Sequence, residues 1–157
     1  MMGMSAKHFR YQDQESPMTL SEGLREYYSG HQGLVQPDKM DADTARFFRS
    51  HDMCHVLFGL DTTLVDESLA DLWTLLGSNV GFRTYARYLR TDPAAKQIMK
   101  EIGLVGALWT TIRAIPFAVR VFLRSRKMTK KWPWDGEDCY LNRPLKVIRH
   151  EFNIRIL

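Results

Sequence analysis

The sequence predicts an all-α fold, and three observations carry that expectation. Alternating β-branched residues over four or more positions are almost absent, which leaves little basis for strands. Helix start and stop signals punctuate the chain from end to end. Within the segments so bounded, apolar residues such as Ile98, Ile102, Val105 and Trp109 recur at helical spacing.

The elements follow in order. Thr19-Leu-Ser-Glu22 is a capping-box pattern, and Gly30 offers a stop after Tyr27-Tyr28. A loop from Gly33 to Lys39 contains Pro37. Asp41 or Asp43 can cap a second helix running to about Phe58, with Gly59 placed to end it. Asp61, Thr62 and Thr63 can cap a third helix through Trp73, Leu75 and Leu76, which Gly77 and Gly81 break before Tyr85 to Leu89. Thr91-Asp92-Pro93 starts a fourth long segment, since Pro is tolerated at the first helical position. Pro116 is expected to kink it before it continues to about Lys127. A rigid loop, Trp132-Pro-Trp-Asp-Gly136, precedes a last helix near Pro144 to Phe152.

With 157 residues, 45% hydrophobic and 25% charged, the chain has the size and composition of one folded domain. The expectation is a single helical bundle over residues 1–157, with its core at about 19–154. Cys54 and Cys139 are far apart and form neither a CxxC pair nor a disulfide framework, which favours a reducing compartment. Residues 1–10 lack the apolar stretch of a secretory signal and the Arg/Ser-rich run of a transit peptide. A bacterial cytoplasmic chain is the expected setting.

The sharpest local feature is His51-Asp52-Met53-Cys54-His55. Residues four apart share a helix face, so both imidazoles can address one ion. The break at Gly59 to Thr63 is short, which makes the flanking helices antiparallel neighbours. Glu67, about one turn past that break, then lies level with His55, about one turn before it. The result is a candidate centre of His51, Asp52, His55 and Glu67 for a divalent metal such as zinc. Cys54 lies about 100° from His55 around the helix and is assigned to the core. The metalloprotease pattern needs Glu where Asp52 stands. An HD-type phosphohydrolase would draw further ligands from His8, His31 or His150, whose spacing offers no support. A bland alternative stays open: two surface histidines and a Glu67 that serves only the helix dipole.

The charge is uneven. No acidic residue lies between Glu101 and Asp135, where Arg113, Arg120, Arg124, Arg126, Lys127, Lys130 and Lys131 all fall. Those cations outnumber the net charge of +4, so the rest of the chain is net acidic. From Ile102 to Leu123 the chain is largely apolar, but each Arg at a bilayer centre would cost roughly 2.5–3.5 kcal/mol. Arg113, Arg120 and Arg124 share one stripe, while Leu108, Ile112, Ile115, Val119 and Phe122 cover another. That pattern suits a helix lying on an anionic membrane, with Trp132 and Trp134 in the interfacial zone. A central bundle helix with a solvated cationic face explains it equally. Nucleic acid is not expected, since the cations are mixed with bulky aliphatics and no recognised motif accompanies them.

With these residues in place the motif reads H-D-x-x-H-x11-E, which resembles the signature of the coenzyme Q (ubiquinone) biosynthesis protein 4 family. The tail Arg143-Pro-Leu-Lys-Val-Ile-Arg149, followed by Asn153-Ile154, is also similar to the end of family members. The likeness spans Leu20 to Ile154. It implies an all-α protein with a divalent metal, often taken as zinc, and a hydrophobic groove for a prenylated quinone precursor or other isoprenoid lipid. It also implies peripheral attachment to the inner face of the bacterial membrane and association with other quinone-biosynthesis proteins; homo-oligomers are admitted. Two roles follow from the resemblance. One is a metal-dependent enzyme that oxidatively removes the ring C1 carboxyl with hydroxylation there, Asp52 or Glu67 moving a proton. The other is a scaffold that organises partner enzymes. Zinc alone cannot supply the oxidation, which would need another metal or an external oxidant.

Overall fold

Short-range capping chemistry sets the helix ends. In the computed structural model, which describes residues 8–31, 41–91 and 93–157, helix α1 (Leu20–Gly30) begins at Thr19. The Thr19 Oγ1 accepts the Glu22 N–H at 3.2 Å, and the Glu22 carboxylate accepts the Thr19 N–H at 2.7 Å. Helix α2 (Ala42–Phe58) is capped by Asp41, which accepts the Thr44 N–H at 3.0 Å, while Asp43 lies in the first turn. Gly59 ends α2 in the left-handed region at φ 71°, with Leu60 N–H on the His55 carbonyl and Gly59 N–H on that of Val56. Thr63 opens α3 (Leu64–Gly77) by accepting the Asp66 N–H. The Gly33–Lys39 loop and Asp92 lie outside the described residues.

Helix α4 (Phe82–Thr91) follows Gly81, whose φ of 78° lets the chain turn sharply. Helix α5 (Pro93–Ser125) leaves helical dihedrals at Gly103 (φ 63°), a break the sequence does not signal, while Pro116 lies inside the helix. Glycine adopts positive φ without a Cβ penalty, whereas Pro116 is exposed, where a carbonyl it leaves unpaired can meet water. Helix α6 (Leu145–Phe152) ends at Asn153, also left-handed. Short 3-10 turns occupy Arg10–Gln12 and Glu137–Tyr140. Among the described residues there is no strand, only isolated bridges pairing Thr19 with Pro144 and Ser78 with Trp132. The all-α expectation holds.

The core forms where α2, α3 and α6 meet the N-terminal segment and the loop after α5. Phe58 stacks on Trp73 at 4.4 Å between ring centroids. Trp132 and Trp134 are buried here, not placed at an interface. Backbone pairing explains the difference. Trp132 N–H donates to the Gly77 carbonyl at 2.8 Å, and Trp134 N–H to Asn79 Oδ1 at 2.7 Å, which draws the loop onto the end of α3. Among the described residues, no helix is long and apolar enough to cross a membrane.

Arg149, on α6, is wholly buried. Its guanidinium donates to four backbone carbonyls: Leu57 (2.9 Å) and Val56 (2.9 Å) at the end of α2, and Tyr11 (2.7 Å) and Asp13 (2.5 Å) in the N-terminal segment. Burial lowers its pKa to about 10, so it stays charged at neutral pH. Replacing Arg149 with Met would strip four carbonyls of a charged donor. A loss on the order of 3–5 kcal/mol is expected, read in urea as a lower midpoint at unchanged slope. A change below about 1 kcal/mol would show that the clamp is dispensable.

Candidate metal centre

The α2–α3 hairpin brings its motif residues to one seam. His51 and His55 lie one helical turn apart on α2, with ring centroids 4.9 Å from each other. Glu67 is in the first turn of α3, its own N–H bonded to the Thr63 carbonyl at 2.8 Å. One ligand atom from each of His51, His55 and Glu67 falls within 4.8 Å of the others. The expected register, with Glu67 level with His55, is therefore present.

His55 is the most constrained of the three. Its Nδ1–H can only donate to the Asp61 carbonyl, 3.0 Å away, which leaves the lone pair of the neutral ring on Nε2. That atom is buried, makes no hydrogen bond, and lies 3.4 Å from Glu67 Oε2. A lone pair facing a carboxylate is repulsive unless a cation, proton or metal, lies between them. A metal-binding imidazole typically donates its other N–H to a backbone carbonyl or a carboxylate, as here. The donor set fits a divalent ion.

The environment supplies both burial and an opening. The His55 side chain is 1% exposed, whereas that of Glu67 is 35% exposed, so one side of the cluster reaches solvent. Burial alone would push the Glu67 carboxyl up, but in the metal-free protein its attraction to the His55 and His51 imidazoles in their protonated form outweighs this and holds the group below its ordinary value. Burial would also lower His51. The hydrogen bond that the ring donates to Asp71 and the charges of Asp71, Glu67 and Asp52 overcome this, and its pKa is raised.

Asp52 occupies a different part of the site. It is buried, and its Oδ2 accepts from the Tyr28 hydroxyl at 2.9 Å, so it does not join the cluster of mutually close ligand atoms. Burial raises its pKa despite the two imidazoles nearby. Cys54 is buried, in agreement with its assignment to the core.

Asp71, which the sequence does not single out, adjoins the cluster. Asp71 Oδ1 lies 3.3 Å from His51 Nε2 and accepts a hydrogen bond from the Tyr85 hydroxyl. Asp71 sits one turn beyond Glu67 on α3, mirroring the His51–His55 step on α2, and that symmetry was the available signal. His31, unplaced by spacing, reaches Asp61 Oδ1 at 2.6 Å while its Nδ1 donates to the Tyr27 carbonyl.

The cations of the basic segment divide into two groups. Arg124 donates to the Arg155 and Ile156 carbonyls, Lys130 pairs with Glu151 at 2.5 Å, and Lys131 donates to the Leu76 carbonyl. Arg113, Arg120, Arg126 and Lys127 are exposed. Val105, Leu108, Trp109, Ile112, Ile115, Val119, Phe122 and Leu123 form an exposed stripe on α5, from 45% exposed at Phe122 to 72% at Val105.

No protein-family model, curated protein or solved structure matches the chain, so the site's chemistry rests on its own residues.

A raised His51 pKa has a definite sign. The folded, metal-free protein holds that proton more tightly than the unfolded chain, so the contribution is present below the ordinary value of 6.5 and lost as pH rises through the higher folded value. Metal requires deprotonated ligands, so its affinity must climb over that same interval. Scanning calorimetry of metal-free protein together with zinc titration across this window should show opposite trends. Parallel trends would separate His51 from the metal.

Proposed function

We propose that the chain is a metal-dependent protein of quinone biosynthesis, of the kind its H-D-x-x-H-x11-E motif resembles. The observation that carries the metal part is His55 Nε2, buried without a hydrogen bond and facing Glu67 Oε2 at 3.4 Å. His51, His55 and Glu67 would hold the ion. Two imidazoles and a carboxylate suit zinc, and equally ferrous iron, which would meet the need for redox chemistry.

When bound, a divalent metal acts as a Lewis acid toward a ring oxygen or carboxylate. The protein's own residues would do the rest. Glu67, kept ionised by the imidazoles, serves as a ligand. Asp52, raised by burial and bonded to Tyr28, can hold a proton close to the substrate, as a general acid requires. The partly exposed Glu67 side leaves an approach for a prenylated hydroxybenzoate whose C1 carboxyl is removed and replaced by hydroxyl. The carboxyl would leave as carbon dioxide, the hydroxyl oxygen would come from dioxygen or water, and dioxygen or another external two-electron acceptor would take up the electrons.

Attachment to the inner face of a bacterial membrane belongs to the same reading. The exposed α5 stripe, flanked by Arg113, Arg120, Arg126 and Lys127, has the chemistry of an interfacial helix. A second reading, a scaffold for other quinone-biosynthesis proteins or for copies of itself, is favoured by that same stripe, since large exposed apolar patches mark interaction surfaces.

Elemental analysis of purified protein should find about one zinc or iron per chain, lost in His55→Ala and Glu67→Ala variants. With the prenylated substrate, those variants should lose turnover while their fold persists. Intact turnover without metal would overturn the enzyme reading, and loss of partner binding alone would favour the scaffold.

Co-sedimentation with vesicles containing phosphatidylglycerol tests the membrane part. Paired Leu108→Glu and Ile112→Glu changes should lower binding at least tenfold, given about 0.8 kcal/mol per buried methylene. Unchanged binding would assign the stripe to a protein partner.

A further inference from the structure

Asp71 is a carboxylate with one oxygen engaged twice. Its Oδ1 accepts from the Tyr85 hydroxyl and faces His51 Nε2 at 3.3 Å. The Asp71 side chain is 38% exposed and could be hydrated, so burial does not force these contacts. Tyr85 is 1% exposed and directs its single polar side-chain atom at Asp71. On α4, Phe82, Arg83 and Thr84 are exposed while Tyr85 is buried, and this side chain ties that helix to the seam.

A carboxylate can only accept from a ring N–H, so the contact places a proton on His51 Nε2 and leaves the neutral ring's lone pair on Nδ1. His55 has the opposite arrangement, its Nδ1–H given to the Asp61 carbonyl and Nε2 left bare. Each imidazole therefore has one nitrogen bonded to a neighbour, and in its neutral form carries its lone pair on the other. Outer partners of this type orient a ligand ring, set its tautomer and raise its basicity.

We infer that Asp71, held in place by Tyr85, is a positioning residue of the metal centre, orienting His51 and fixing its tautomer. The inference rests on the proposed metal reading and adds a role for a pair outside the H-D-x-x-H-x11-E motif. Asp71 touches neither substrate nor metal in this role. Tyr85 stops the carboxylate from rotating away from the ring, and its loss should act in the same direction as the loss of Asp71, but more weakly.

Metal-free full-length protein titrated with cobalt(II), with zinc in competition, provides the test. Wild type should bind one equivalent and develop visible cobalt absorption. Asp71→Asn should weaken binding about 10–100-fold and shift the cobalt bands, because the amide can present a donor where the ring needs an acceptor. Asp71→Glu should restore part of the affinity, which a merely space-filling role would not predict. Tyr85→Phe removes one hydroxyl and should cost a few-fold with a smaller band shift, and it keeps the test decisive should Asp71→Asn not fold. Wild type that binds no metal would overturn the metal reading and this inference with it. Wild type that binds, with both Asp71→Asn and Tyr85→Phe indistinguishable from it, would overturn the positioning role alone. Binding abolished in Asp71→Asn as fully as in His51→Ala would make Asp71 a ligand and also overturn it.

Discussion

The structure depends on how the α2–α3 turn disposes of its carbonyl groups. A helix ending inside a core leaves acceptors that water cannot reach, and each left unpaired costs about 1–3 kcal/mol. Side chains take four of them: Arg149 binds the carbonyls of Val56 and Leu57, the Tyr11 hydroxyl that of Leu60, and the His55 Nδ1–H that of Asp61. Arg149 also reaches Tyr11 and Asp13, so one cation joins α6, the N-terminal segment and the end of α2. The charge is favourable there because the C-terminal end of a helix carries partial negative charge. His55 is thus both a candidate ligand and a part of the turn that fixes the ligand geometry.

The same turn explains why the site holds tension in charge. Asp52, Glu67 and Asp71 surround two imidazoles in a seam that is buried on the His55 side and open to solvent at Glu67 and Asp71. Burial works against the charged forms of Asp52 and Glu67, and they respond differently. Asp52 is pushed up, toward its neutral form, whereas Glu67 is held down by the two rings beside it. The two carboxylates beside the imidazoles thus have their pKa values driven in opposite directions.

Much of this was legible in the sequence wherever the decisive interaction is local. Thr19, Asp41, Gly59 and Thr63 mark helix ends through bonds spanning three to five residues, and a short turn after α2 implies the antiparallel register that returns Glu67 to His55. Asp71 followed from that register, one turn further along both helices, but the motif drew attention only to its own letters. Tyr85 could not be placed, because its position depends on the turn at Gly81. Trp132 and Trp134 were assigned to an interface on residue preference, which the pairing of their backbone with Gly77 and Asn79 overrides. Lys130, Lys131 and Arg124 are part of one cationic run in the sequence, yet their acceptors, Glu151 and the carbonyls of Leu76 and Ile156, come from elements far away in the chain.

That partition of cations bears on what α5 can do. Charges committed to Glu151 or to backbone carbonyls contribute less to attracting an anionic surface, because their field is partly neutralised and their side chains are tethered. The exposed Arg113, Arg120, Arg126 and Lys127 remain, at roughly 1 kcal/mol each near an anionic bilayer. The larger driving force is the apolar stripe itself, eight side chains on the side of α5 away from buried Ala114, Val121 and Ser125. A helix buried along one face and bare along the other gains free energy by acquiring any apolar cover. Because α3 packs against both α2 and α5, the helix that supplies Glu67 and Asp71 also supports the surface that seeks this cover.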